Sequence, residues 1–171
     1  MNSILTGVSA KAAGITKPLN LFTTAARNRS LFRRWLIFAG ALMPGGKLPR
    51  ADTELVILRV SHRTGAEYEA VHHRVIGRKV GLTDEHIGAV ARDDLADGPW
   101  TDRQRALLAA VDELHDESAI GAETFAALRD AGLSDSDLVE LCLLAGHYSM
   151  VAGLINSLRI ESDVHRSSSH S

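Results

Sequence analysis

Leu138, Leu141, Leu144, Ala145, Tyr148, Val151, Ala152, Ile155 and Leu158 follow one another at intervals of three and one, so that residues such as Leu141 and Ala145 or Leu144 and Tyr148 stand four apart. That spacing aligns side chains on an α-helix and scatters them on a strand. The run is apolar on more than one face, so the helix must be covered either by the rest of its own chain or by a second subunit. Apolar residues recur at helical intervals elsewhere too, strand-type alternation is weak, and only 4 prolines interrupt 171 residues. The pattern predicts an all-α chain of about seven or eight helices, one domain or one protomer of an assembly. Aromatic residues make up only 5% of it, so Leu, Val, Ile and Ala must fill the core.

Punctuation along the chain sets the expected elements. Residues 1–17 are small, polar and Gly-containing, which suits a flexible N-terminal arm. Helices are expected over 18–27 and 30–42, the second with Ser30 as N-cap, followed by a Pro/Gly loop over 43–49. Asp52 is expected to cap a helix that reaches Arg63, with Glu54 in its first turn. Thr64-Gly65 reads as a turn, and a helix over 66–80 should stop at Gly81. Thr83 caps a short helix over 84–91, and Thr101-Asp102-Arg103-Gln104 is a capping-box pattern opening a helix to about Glu117. A short helix over 121–131 precedes the last long one, capped by Ser134 and running to about Glu161. The folded unit is therefore placed at 18–162, and the Ser/His-rich end, 163–171, is expected to be disordered.

Several functions are disfavoured by composition. A net charge of −2 does not suit a nucleic-acid or anionic-membrane surface. No apolar run approaches the ~20 residues that span a bilayer, and residues 1–17 lack a signal-peptide core, so a cytoplasmic protein is expected. The single cysteine, Cys142, excludes an intramolecular disulfide and a Cys-x-x-Cys pair. Its place in the apolar final helix suggests a packing residue.

The chemistry concentrates around Glu67-Tyr68-Glu69-Ala70-Val71-His72-His73. Glu69 and His73 are four apart and share a helix face. The Thr64-Gly65 turn makes the flanking helices an expected antiparallel hairpin. Glu54 lies about eleven residues before that turn and His73 about eight after it, within roughly one helical turn of each other. Glu54, Glu69 and His73 can therefore converge. A carboxylate beside an imidazole raises its pKa and fixes its tautomer, giving an acid or base usable near neutral pH. The same spacing also fits a solvated surface pair contributing a few tenths of a kcal/mol. Spacing alone leaves both open.

The runs Glu54-Leu55-Val56-Ile57-Leu58-Arg59-Val60, Thr64-Gly65-Ala66-Glu67-Tyr68-Glu69, His73, Gly77 and Gly81-Leu82-Thr83-Asp84-Glu85 resemble the carboxymuconolactone decarboxylase and AhpD-like alkylhydroperoxidase superfamily. Asp137-Leu138-Val139-Glu140-Leu141 and the stretch from Tyr148 to Asn156 resemble its final helix, so the likeness extends over about 31–161. It implies an all-α fold that assembles as a homo-oligomer, often a trimer or hexamer. The peroxidase branch carries Cys-x-x-Cys, a His four residues after the second cysteine and a relay Glu twelve before the first. On this chain the histidine is matched by His73 and the glutamate by Glu54, while the thiol positions fall on Ala66 and Glu69. The decarboxylase-like branch has Tyr-Glu-Trp followed by His; here Tyr68 and Glu69 are kept and Ala70 replaces the Trp.

The resemblance therefore implies a cofactor-free lyase or isomerase acting on a small organic acid or lactone. His73 would be the acid/base, Glu69 its orienting partner, Glu54 a second proton carrier, and Tyr68 a hydrogen-bond donor to a developing oxyanion. A peroxiredoxin-type antioxidant is the alternative, weakened by the missing thiols. A non-catalytic oligomeric binding module is a third. Side chains outside this cluster have blander expected roles. His62, His72 and His73 do not form a metal-ligand pattern, His115 suits a helix C-terminus, and His147 and Trp35 suit a core. Arg33 and Arg34 suit a solvated helix edge, although either could hold a substrate carboxylate.

Overall fold

The computed structural model describes residues 19–163. Within them lie eight α-helices and no strand. They are α1 (Asn20–Ala25), α2 (Arg29–Leu42), α3 (Arg50–Arg63), α4 (Glu67–Lys79), α5 (Asp84–Ala89), α6 (Asp102–Glu117), α7 (Ala122–Asp130) and α8 (Asp135–Leu158).

Helix α3 is the hub. Every residue from Asp52 to Ser61 is buried, with α4, α6 and α8 packed around it. Its all-round apolar run makes that burial favourable. Val56, Ile57 and Val60 meet Leu107 and Val111 of α6 and Leu141, Leu144 and Tyr148 of α8 in the main core. On the other side Leu55 and Leu58 meet Leu82, Ile87, Val90, Trp100 and Leu108. At about 1.5–3 kcal/mol for each large apolar side chain withdrawn from water, this packing is the main force holding the bundle.

The charged residues of α3 are buried too, and each has partners. Arg59, fully buried, makes paired 2.6 Å hydrogen bonds from Nε and Nη2 to Asp112 of α6 and donates to the carbonyls of Val90 and Arg92. Asp52 accepts from Arg103 Nε at 2.7 Å. Buried charges persist only when closed in this way, so these pairs fix how α3 sits against α6.

Helix termini follow their local chemistry. Thr83, Thr101 and Ser134 all cap their helices as expected; Thr101 closes the predicted capping box, and Thr83 and Ser134 close boxes too, through His86 and Asp137. Gly65 (φ +62°) carries the turn between α3 and α4, and Gly81 (φ +103°) ends the run after α4, both in the left-handed region that Gly enters without a Cβ penalty.

Other expectations are corrected. Asn28, not Ser30, caps α2, accepting from the Leu31 N–H; Ser30 instead receives the Arg34 guanidinium. Helix α1 is shorter than the expected 18–27. Asp52 does not cap α3, which begins at Arg50, directly after Pro49. Proline's fixed φ suits a helix start, and Asp52 is drawn instead to Arg103. Helix α8 stops at Leu158, where Arg159 turns left-handed (φ 51°), and the chain doubles back.

Helix α8 corrects two further expectations. It is long and apolar enough by composition to cross a membrane, although half of that apolar stretch is buried inside the protein. One face carries Leu141, Leu144, Tyr148, Val151 and Ile155 into the core. The opposite face exposes Val139, Leu143, Met150 and Leu158, and Cys142 lies exposed on it rather than packed inside. The expected arm and all but the first residue of the expected tail lie outside the described residues.

Candidate functional site

The hairpin of α3 and α4 brings together the three predicted groups. His73 Nδ1 donates to Glu54 Oε2 at 2.6 Å, across the two helices. His73 Nε2 lies 3.2 Å from Glu69 Oε2, one turn earlier on α4. Behind them, Arg50 Nη2 sits 2.6 Å from Glu54 Oε1. The result is a linear array, Arg50–Glu54–His73–Glu69, alternating in charge. Arg50 joins it because α3 starts three residues earlier than the sequence suggests, which places Arg50 four residues before Glu54 on one helix face.

Burial sets the electrostatics. Glu54 is fully buried, and His73 and Glu69 are each only 5% exposed. Burial alone would push the His73 imidazole down, but the Glu54 and Glu69 carboxylates outweigh it and raise its pKa to about 9. At neutral pH the ring is an imidazolium donating from both nitrogens. The solvated-pair alternative for Glu69 and His73 therefore does not hold.

The array opens on a cavity of about 100 Å³ through Glu69; His73 stands behind it and does not border the space. The walls are mostly apolar. Leu21 and Phe22 come from α1, Trp35, Leu36, Ala39 and Leu42 from α2, Ile76 from α4, and Val151 from α8. Tyr148 and His147 of α8 and His72 of α4 add polar groups to the wall. The Tyr148 ring stands edge-on to His73, centroids 5.3 Å apart, and burial drives its phenol well above 10, so it remains a donor. Among the described residues its hydroxyl has only the Met43 sulfur, at 3.5 Å, as acceptor. Burial lowers the His147 pKa, leaving a neutral ring stacked on Trp35.

Tyr68 sits elsewhere. Its hydroxyl donates to Asp163 at 2.6 Å, and its ring packs on His72 with centroids 4.6 Å apart. Asp163 also accepts from the Asn20 N–H, at 3.1 Å to Oδ2. The residue placed first in the expected tail thus clasps the start of α1 to α4. Arg33 and Arg34 are exposed on α2 and do not border the cavity. His62 pairs with Asp93 at 3.1 Å, and His115 is exposed in the last turn of α6. Among the described residues no group of three or more His, Cys, Asp or Glu side chains is arranged to hold a metal ion.

Sequence reasoning missed Arg50, Tyr148 and the cavity-facing place of His147 and Trp35. Arg50 was detectable: its i, i+4 spacing to Glu54 is the one that joins Glu69 to His73. Tyr148 and His147 carry no such local signal, because their proximity to α4 arises only from the packing of α8.

Residues 29–113 match the model of the carboxymuconolactone decarboxylase family. With the array on α3 and α4 inside that span, the chain belongs to the carboxymuconolactone decarboxylase family. The fold is similar to that of an uncharacterized peroxidase-related protein from Silicibacter sp. TM1040, with a TM-score of 0.81 at 18% identity over 94% of this chain and 83% of that one. An uncharacterized peroxidase-related protein with an AhpD core from Ralstonia eutropha JMP134 gives 0.79 at 23% identity, over 91% of this chain and 82% of that one. A protein of unknown function from Agrobacterium tumefaciens, proposed as an antioxidant defence protein AhpD, gives 0.73 at 22% identity, over 81% and 95%. No curated protein matches the sequence.

Proposed function

We propose that the protein is an enzyme of acid–base chemistry on a small carbonyl compound, an organic acid or a lactone. Decarboxylation, isomerisation and lactone processing are the reactions its side chains suit. The supporting observation is the charge-alternating array Arg50–Glu54–His73–Glu69, which meets an apolar cavity through a carboxylate. Glu69 occupies the place of the second thiol in the peroxidase branch, and at that place it is the group a substrate would touch. It can take a proton from a carbon beside a carbonyl, or deliver one to an enolate. His73 replenishes Glu69 from Nε2, and Glu54, held by Arg50, keeps the imidazole oriented and charged. This exchanges the roles expected for Glu69 and His73. Tyr148 and Trp35, at the cavity wall, take the oxyanion-donor role expected of Tyr68, whose hydroxyl is bound to Asp163.

An antioxidant role of the AhpD kind would need a reactive thiol at this place. Cys142 does not border this cavity, and burial raises its thiol pKa. The deciding experiment screens lactones, β-keto acids, β,γ-unsaturated ketones and organic hydroperoxides, the last with a thiol reductant. Wild type, Glu69→Gln, His73→Gln and Cys142→Ser are compared. Turnover of a carbonyl substrate should fall about 10²- to 10⁴-fold in Glu69→Gln and His73→Gln. Hydroperoxide consumption that disappears in Cys142→Ser would overturn the proposal. The same proposal includes self-association through the exposed apolar face of α8 and its neighbours Leu31 and Ile37 on α2.

A further inference from the structure

Resting on that acid–base role and narrowing it to isomerisation and lactone processing, we infer that the cavity selects an electrically neutral carbonyl compound, such as a lactone or unsaturated ketone, and rejects a free carboxylate of the same size, the substrate that a decarboxylation would need. Among the described residues that border the cavity none is Lys or Arg, and the one carboxylate is Glu69. The nearest cations are already engaged. Arg50 lies on Glu54, and His73 lies between Glu54 and Glu69. Arg34, on the exposed edge of α2, bonds to Ser30. An entering carboxylate would lose its water among apolar walls and face Glu69 with no Lys or Arg on the cavity wall to offset either effect.

Neutral polar groups are provided for. Trp35 Nε1, His72 Nε2 and His147 Nδ1 are buried, have no hydrogen-bond partner, and belong to residues that border this cavity. His72 and His147 are each only 7% exposed. Unpartnered buried polar atoms are uncommon in native proteins, and on a cavity wall they are where water or a ligand can supply the partner. His72 Nδ1 donates to the Tyr68 carbonyl at 2.7 Å, which leaves Nε2 as a lone-pair acceptor in the neutral ring. Trp35 Nε1 can only donate. The Trp35 N–H, which can donate to a carbonyl oxygen, and the Glu69 carboxylate, set around an apolar space, suit a ketone on a small ring whose adjacent C–H bond is broken by Glu69. In a β,γ-unsaturated ketone that proton leaves the α-carbon for Glu69 and returns to the γ-carbon. The double bond moves into conjugation, and no oxidant or reductant is consumed.

The test uses two probes of one ring, 3-cyclohexen-1-one and 3-cyclohexene-1-carboxylate, neutral and anionic at neutral pH. Dissociation constants are measured by ligand-observed NMR titration for wild type, Glu69→Gln and Trp35→Phe. Wild type should bind the ketone at least about tenfold more tightly than the carboxylate. Glu69→Gln should close most of that gap by admitting the carboxylate, and Trp35→Phe should weaken the ketone alone. Equal or tighter carboxylate binding by wild type, a gap unmoved by Glu69→Gln, or no binding of either probe overturns the inference. Because the readout is binding, a bound ketone that is never isomerised counts against the acid–base role and leaves the charge selection standing.

Discussion

His73 illustrates how one side chain can serve stability and chemistry together. Its imidazole titrates at about 9 in the folded protein against about 6.5 when unfolded, because two carboxylates hold its proton. A raised folded-state pKa contributes stability that is fully present below the unfolded value and is lost as pH rises through the folded one. The shift corresponds to about 3 kcal/mol. Denaturant midpoints of wild type should therefore fall between pH 6.5 and 10, and His73→Gln should flatten that slope while lowering stability at neutral pH. If the imidazolium is the form that recharges Glu69, kcat should decline along an alkaline limb near pH 9. Arg50→Met addresses the other end of the array. Glu54 would remain fully buried with His73 alone, and urea unfolding should register a loss of about 1–2 kcal/mol, below the usual cost of breaking a buried pair because Arg50 is partly exposed.

At the scale of elements, the α3–α4 hairpin and the capped helices were legible from sequence because their determinants are local. Thr101 and Ser134 each bond within their own first turn, and Ser134→Ala should cost about 1 kcal/mol in thermal or chemical unfolding. Glu54, Glu69 and His73 were legible for a related reason: a two-residue turn fixes which residues of two adjacent helices oppose each other. The rest depends on contacts distant in sequence. Asp52 looked like a cap until Arg103, fifty-one residues later, engaged it. Arg59 gave no sign that it would be sealed against Asp112 of α6. Arg59→Met should be strongly destabilising, by about 3 kcal/mol, since it removes the closest partner of Asp112 and leaves the buried Val90 carbonyl unpaired. Tyr148 and His147 reach the site only because α8 crosses it, and helical spacing cannot state which face of α8 meets α4. Cys142 was misplaced for the same reason. An apolar helix has two sides, and only packing decides which one is covered.

For the whole molecule, the uncovered side of α8 is the next question. Leu143 and Met150 are about half exposed, and Leu31 and Ile37 on α2 still more so. Sedimentation of wild type should give a mass above that of one chain, and Leu143→Glu with Met150→Glu should bring it to the monomer value. A monomer in both cases would mean that this face meets nothing of its own kind. The last consequence concerns Asp163. One carboxylate ties the residues after α8 to the first turn of α1, whose Leu21 and Phe22 roof the cavity. The two ends of the described chain are thus buttoned to each other at the cavity wall. Anything fused or trimmed at the C-terminal side acts on that fastening. Asp163→Ala should accelerate amide exchange in α1 and speed both entry and release of a bound ketone, while the chemical step beneath it keeps its rate.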